Sequence, residues 1–166
     1  LYEMWKPIFG SKGKDIKIIK NNKLKKESEQ VYYLQRYENI KTKLDEKWRD
    51  FRIFVCNNKI IASMIRENKK KITNINQGGT PIKFIPGKEL KKISLQASQL
   101  VKADYVGIDL VKDKKAKFKI IEINSIPAWK GLQQTTKKNI AAILAKTFLD
   151  KINKKNSWKK KKLNLF

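Results

Sequence analysis

The sequence predicts an α+β fold, and three observations carry that expectation. Apolar segments of strand length come in pairs about short polar turns. DFRIFVC and IIASMIRE flank NNK, and DYVGIDLV and FKIIEINS flank KDKKAK, the pattern of antiparallel hairpins. One amphipathic helical pattern lies between the two pairs and another follows them. Strands and helices do not alternate singly, so a parallel, doubly wound sheet is not expected. With 166 residues, 40% of them hydrophobic and 10% aromatic, the chain is one domain or a domain with a small lobe, and it can bury a sizeable core.

In chain order, YEMWKPIF reads as a short strand, GSKGKD as a glycine-containing turn, and DIKIIK at 15–20 as a second strand. The polar stretch NNKLKKESEQ leads to VYYLQRY at 31–37, whose β-branched and aromatic residues favour an extended chain. Residues 38–49 read as a charged loop. After the first hairpin, residues 68–86 contain Gly78-Gly79, Pro81 and Pro86, which argue against long regular structure. Leu90, Ile93, Ala97 and Leu100 then recur at helical spacing within 87–103. A last helix is expected over 132–153, on the stripe of Leu132, Ile140, Ile143, Leu144, Thr147 and Phe148. The lysine-rich end, 154–166, reads as a basic tail without assigned structure.

Charge and missing residue types narrow the chemistry. Forty Lys and Arg stand against 15 Asp and Glu, a net charge of +25 that attracts nucleic acid, anionic membrane or phosphate-rich ligands. The lysines are spread along every segment among Ile and Asn, which reads as a compositional habit rather than a focused patch. No apolar run would span a membrane and no secretory signal is visible, so a cytoplasmic protein is expected. Cys56 stands alone and, within FRIFVC, reads as a small buried side chain. The sequence has no histidine, which excludes His triads, His general bases and His metal sites. Any metal would need oxygen ligands, which points to magnesium or manganese.

The apolar segment FKIIEIN raises a question by carrying Glu122 and Asn124 near its end. Strand alternation puts both on one face. A turn near Lys114-Lys115 sets Asp109 roughly opposite Glu122, where facing Cβ atoms lie ~4.5–5.5 Å apart. Carboxylates that close repel unless a cation lies between them, and Asp, Glu and Asn oxygens suit a hard divalent ion that also binds phosphates. A solvated acidic face paired with lysines would use the same residues.

Lys6 ends a strand ahead of Gly10, Ser11 and Gly13, where glycines let backbone N–H groups turn onto an anion. The spacing is not that of a Walker loop, and an ordinary hairpin turn also fits. Asp50 and Arg52 share a strand face, with Arg66 near the end of the partner strand. Arginine forks take carboxylates and phosphates at two points, while surface ion pairing is the other reading. Thr73, Asn74, Asn76 and the diglycine suit polar ligand contacts on a loop, as they suit a turn.

Taken in order, the Lys–Gly-rich loop, LQRY, DFRIFV, TNINQGG, VGIDLV and IEINSIP resemble the ATP-grasp ligases over about residues 2–150. Within them the chain is similar to the RimK-like α-L-glutamate ligases, and PAWKGLQ resembles the subgroup acting on tetrahydromethanopterin-type cofactors. The resemblance implies two antiparallel-sheet lobes with packed helices and ATP between them. Residues 1–40 would be part of the N-lobe, with the Gly-rich loop and adenine linker. Residues 41–153 would be the C-lobe with the metal site, and 154–166 the tail.

The implied activity is that of an ATP-dependent carboxylate–amine ligase. ATP phosphorylates a carboxylate, and an amine displaces phosphate from the acyl phosphate to give an amide. Such catalysis rests on positioning and charge neutralisation and needs no enzyme nucleophile, so a chain without histidine can perform it. The partners implied are ATP, L-glutamate and an acceptor carboxylate on a protein or a small cofactor, with no membrane and no nucleic acid. A homo-oligomer is implied at full length.

Carried across by motif, Lys6 would touch the phosphates of ATP, and Gly10, Ser11 and Gly13 would fold over them. Gln35, Arg36 and Tyr37 would be the linker whose backbone reads adenine, with Asp50, Thr73 and Asn74 also at the nucleotide. Asp109, Glu122 and Asn124 would hold two magnesium or manganese ions. Arg52 and Arg66 would meet the acyl phosphate or substrate carboxylate, and Asn74 is counted with them as catalytic. The chain departs from the family pattern at Arg36, where an acidic residue is usual, and at Ala128, where Gly is. The loop at 38–49 is longer than the family pattern. The family's N-terminal domain and the start of its ATP lobe are expected to precede Leu1. Two other readings stay open: a basic nucleic-acid-binding module, whose binding would fall steeply with salt, and a degenerate fragment that keeps the fold without turnover.

Overall fold

The computed structural model describes residues 2–9, 15–20, 31–38 and 45–163, with side chains as far as Lys154. Two antiparallel sheets organise these residues. The smaller has strand order β2-β1-β3, built from β1 (Tyr2–Pro7), β2 (Lys17–Lys20) and β3 (Tyr32–Arg36). The larger has order β6-β5-β4-β7-β8, from β4 (Trp48–Cys56), β5 (Lys59–Asn68), β6 (Thr80–Lys83), β7 (Tyr105–Lys112) and β8 (Phe118–Asn124). Helices α1 (Lys88–Leu100), α2 (Lys130–Gln134) and α3 (Ile140–Leu163) complete the fold, which is the α+β arrangement of two antiparallel-sheet lobes that the sequence predicts.

The β4–β5 hairpin turns on Asn57 and Asn58, both left-handed with φ of 48° and 58°. Two such residues make the tight turn whose twist matches paired strands, and asparagine tolerates that backbone better than most. Alternation along β4 then divides the core. Phe51, Ile53 and Val55 pack with Val106, Ile108 and Leu110 of β7 and with Leu90 and Ala97 of α1. Phe54 and Cys56 face the other way, onto Met64, Leu132, Ile140 and Leu144. Burying a side chain such as Ile53 or Phe54, each fully inaccessible, contributes roughly 1.5–3 kcal/mol. Cys56 is buried as expected, its thiol 3.6 Å from the Thr147 hydroxyl. Helices α2 and α3 therefore cover only part of their face of the large sheet, and the rest of it looks across to the small sheet.

Several sequence expectations are corrected. Residues 68–86 are not wholly irregular, because β6 pairs antiparallel with β5 and places Pro81 opposite Arg66. It is an edge strand, where a residue without a backbone N–H is tolerated. The charged loop ends early, since β4 begins at Trp48. Two helices stand where one was expected over 132–153. The interruption is stitched by Gln133, whose Nε2 donates to the Lys138 carbonyl at 2.8 Å and whose Oε1 accepts from the Ile140 amide at 3.0 Å. Asn139 then caps α3 by accepting from the Ala142 amide. Helix α3 continues to Leu163, so helix rather than unassigned tail occupies most of 154–166. Leu100 and Phe148, expected on apolar stripes, are 83% and 43% exposed. On α1 the small side chains of Ser94 and Ser98 take the inward positions instead. No helix among the described residues is long and apolar enough to cross a membrane.

Candidate functional site

A cleft of about 840 Å³ lies between the two sheets. The small sheet turns Met4, Lys6, Tyr33 and Gln35 toward it, consistent with the pairing of Met4 with Gln35 and Lys6 with Tyr33. The large sheet supplies Asp50, Arg52, Arg66, Asp109, Glu122 and Asn124. Arg36, Tyr37, Thr73, Asn74 and Ala128 also line the cleft. Every sequence-predicted site residue that the structure describes thus borders one space. Gly10, Ser11 and Gly13 lie outside the described residues.

Sheet register explains how the charged groups meet. Asp50 on β4 pairs with Arg66 on β5, Arg52 pairs with Asp109 on β7, and Asp109 pairs in turn with Glu122 on β8. The Arg66 guanidinium donates to both Asp50 oxygens at 2.7 and 2.6 Å, and to Asp109 Oδ2 at 2.9 Å. Arg52 forks Asp109 through Nε and Nη2 at 2.7 and 2.6 Å. Thr73 donates its hydroxyl to Asp50 Oδ2 at 2.7 Å. Asp50, Arg66 and Asp109 are all buried, so these ions survive only because they hold one another. Burial alone would raise the Asp109 carboxyl, but the charges of Arg66 and Arg52 outweigh it and hold the pKa at about 2. Burial likewise works against the Arg66 cation, and Asp109 and Asp50 overcome it, raising its pKa above the ordinary arginine value.

Glu122 stands differently. It is exposed on the edge strand β8, where Ile120 and Ile123 are also partly open to solvent. The apolar character of this segment therefore does not bury its acid. Asn124 accepts the Ile126 amide through Oδ1 at 2.9 Å. Among the described residues no set of three or more His, Cys, Asp and Glu side chains gathers where it could hold a metal ion. The oxygen set available here is two carboxylates and one amide, with Asp109 already engaged by arginine.

The linker between the sheets is fixed at two points. Gln35 Nε2 donates to the Ile121 carbonyl at 3.2 Å, and the Tyr37 hydroxyl donates to the Lys71 carbonyl at 2.9 Å. Burial, seconded by the Asp50 charge, raises the Tyr37 phenol above its ordinary value, so it stays a donor. Its ring packs against Trp48 with centroids 5.6 Å apart. Arg36 is largely exposed and pairs with Glu38 at 3.1 Å.

The loop at 73–79 is tightly specified. Asn74 accepts from the Asn76 amide through its side chain and from the Gln77 and Gly79 amides through its carbonyl. A Cβ on Gly79 would lie 1.9 Å from the Thr73 carbonyl oxygen, and Gly78 has φ of +89°. Two glycines are therefore needed here for two different reasons.

Sequence reasoning missed Lys71 and Ile121 as cleft residues. Lys71 stands in a lysine run that gives it no distinguishing signal, and its Nζ lies 3.8 Å from the centre of the Tyr2 ring. Ile121 is the extra residue of a β-bulge, since Asp109 pairs with Glu122 but Leu110 pairs with Ile120. Period-two reasoning cannot locate such a bulge.

Known proteins match this arrangement. Residues 4–148 match the RimK-like ATP-grasp domain family. Tetrahydromethanopterin:alpha-L-glutamate ligase of Methanococcus maripaludis is 36% identical over 145 residues, covering 82% of this chain and 48% of that protein. The protein of the same description from Methanocaldococcus jannaschii is 36% identical over 149 residues, covering 82% and 49%. The chain thus spans about half the length of these curated relatives. Among solved structures, the ATP-grasp ligase PsnB complexed with a phosphomimetic variant of its minimal precursor, Mg and ADP aligns with a TM-score of 0.62 at 15% identity, over 90% of this chain and 46% of that one. At that identity the likeness concerns the fold.

Proposed function

The chain belongs to the RimK-like ATP-grasp family, and we propose on that premise that it is the ATP-binding portion of a carboxylate–amine ligase that adds L-glutamate to an acceptor. The observation that carries this reading is a cleft between the sheets onto which residues distant in sequence converge: Lys6, Gln35, Asp50, Thr73, Asn74, Asp109 and Glu122. Similarity to tetrahydromethanopterin:alpha-L-glutamate ligases supports glutamate as the added group and a cofactor carboxylate as the acceptor class. We assign this ligase a cytoplasmic setting, where ATP is supplied.

In this reading Lys6 meets the phosphates of ATP, and Gly10, Ser11 and Gly13 fold over them. The backbone of Gln35, Arg36 and Tyr37 faces adenine, while Asp50, Thr73 and Asn74 shape the nucleotide side of the cleft. Asp109, Glu122 and Asn124 fit a magnesium or manganese site by their chemistry, because their oxygens are hard donors, with Asp109 facing Glu122 across the strands and Asn124 two residues further along β8. Glu122 supports the fit further, being exposed and without an ion pair among the described residues. We assign two ions to this set. Bound divalent cations would neutralise phosphate charge as the phosphoryl group moves.

The residues of the chain do the rest. The substrate carboxylate attacks the terminal phosphorus of ATP, giving an acyl phosphate and ADP. The amine then adds to the acyl carbon, phosphate leaves, and the amine loses a proton as the amide forms. Lys6 and Arg52 hold the anionic groups in line, and Arg66, doubly anchored to Asp50 and Asp109, keeps both carboxylates in place. The test is incubation with ATP, magnesium, L-glutamate and a tetrahydromethanopterin-type acceptor, following ADP by chromatography and the amide by mass. ADP formed only with both substrates, together with an acceptor heavier by one glutamyl group, is expected. Hydrolysis of ATP at one rate with and without substrates would contradict the ligase reading.

A further inference from the structure

Asp109 is offered as a metal ligand, yet both of its oxygens are in use. Arg52 takes Oδ1 through Nε at 2.7 Å and Oδ2 through Nη2 at 2.6 Å, and Arg66 takes Oδ2 as well. A carboxylate has about four acceptor positions, so geometry alone leaves one free. Electrostatics does not leave it usable while both arginines hold Asp109. A divalent cation on Asp109 would sit within a few ångströms of two guanidiniums bonded to the same group, and three positive charges that close repel strongly in a partly buried site.

One of the two arginines must therefore yield, and they are not equivalent. Arg66 is buried and has a second anchor, both oxygens of Asp50. Arg52 bonds only Asp109 among the described residues, and its side chain, 12% exposed, borders the cleft. The charges also count out: Asp50 and Asp109 balance Arg52 and Arg66, so the set is neutral before any ligand arrives. The first divalent ion, shared with Glu122, leaves one positive charge in excess, which a bound anion offsets.

We propose that Arg52 is an interlock between the cation and the anionic substrate: it forks Asp109 until a divalent ion takes that carboxylate, and the released guanidinium then binds the phosphate-type anion. This rests on the metal assignment of the proposed function and adds a coupling to it. Cation and anion binding are cooperative because one side chain serves both. Coupling of this kind is typically ~5–150-fold in affinity.

The test is nitrogen-15 NMR of the arginine Nε–H groups, with the Glu122 carboxyl carbon followed in the same sample. Without divalent ions, Arg52 and Arg66 should give two slowly exchanging signals, the former assigned by its loss in Arg52→Lys. Titrating magnesium chloride should shift Glu122 and abolish the protection of Arg52, leaving Arg66 unchanged. Sulfate, a dianion that complexes magnesium weakly, should then bind at least about 5-fold more tightly with magnesium than without it. That gain should vanish in Arg52→Lys, which keeps the charge but not the fork. If Glu122 shifts while Arg52 stays protected, the interlock is wrong and the metal site stands. If neither group responds to magnesium, the metal assignment falls and the interlock with it.

Discussion

Asp109 on β7 is the register partner of Glu122 on β8, and it is bound from its other side by the guanidinium of Arg52 on β4. The pairing with Glu122 has one buried and one exposed member, so the two carboxylates weigh differently in stability. Asp109 is part of the framework that holds the large sheet's charged face together. Glu122, exposed on the edge strand, contributes little to that framework.

Glu122→Ala should therefore separate binding from folding. The variant should melt within a degree or two of the parent, because an exposed edge-strand acid contributes little to stability. Magnesium-dependent nucleotide binding should disappear. Calorimetry of Mg-ATP binding beside a thermal melt checks both, and binding as tight as the parent's would remove Glu122 from the metal site.

Arg66→Ala should do the reverse and damage the fold. It leaves Asp50 facing a cavity and removes one of the two cations on Asp109. Breaking a buried ion pair from one side costs about 3–5 kcal/mol. Urea unfolding followed by tryptophan fluorescence should show a midpoint lowered accordingly. A change within about 0.5 kcal/mol would mean that the network is no more than a surface pairing.

Acid should act through Asp109. Its folded pKa, about 2, lies below the ~3.9 of an unfolded aspartate. Between those values the unfolded chain binds more protons, so stability rises with pH there. The contribution is fully present above about pH 4 and is lost as pH falls toward 2. Asp109→Asn should be less stable at neutral pH and should have a flatter acid limb, measured by unfolding at several pH values.

Gly79→Ala should distort the 73–79 loop, since no rotamer relieves a Cβ placed 1.9 Å from a backbone oxygen. Overpacking of this sort costs about 1–3 kcal/mol. Because Thr73 also donates to Asp50, weaker nucleotide binding should accompany the loss of stability. Gly78→Asn, which tolerates the left-handed backbone, should be milder in both respects.

Much of the fold was legible because its rules are local. Alternation within DFRIFVC sorts Phe51, Ile53 and Val55 from Phe54 and Cys56, and the Asn57-Asn58 pair marks the turn. The turn near Lys114-Lys115 was enough to place Asp109 opposite Glu122. Longer-range relations were not legible. The contact of Arg66 with Asp109 depends on β5 and β7 flanking β4, an order that periodicity does not encode. The break between α2 and α3 depends on one glutamine bonding across it, in a stretch whose apolar stripe reads as continuous. The bulge at Ile121 and the edge position of β6 belong to the same class, being settled by neighbouring strands rather than by their own residues.

The most direct measurement is calorimetric titration of the chain with ATP at moderate salt, with and without magnesium. Saturable heat that requires magnesium and persists as salt is raised is the result expected of a cleft in which Lys6, Asp109 and Glu122 act together. Heat that appears without magnesium and fades as salt rises would mean that a protein of net charge +25 merely attracts an anion, and would contradict the ATP site.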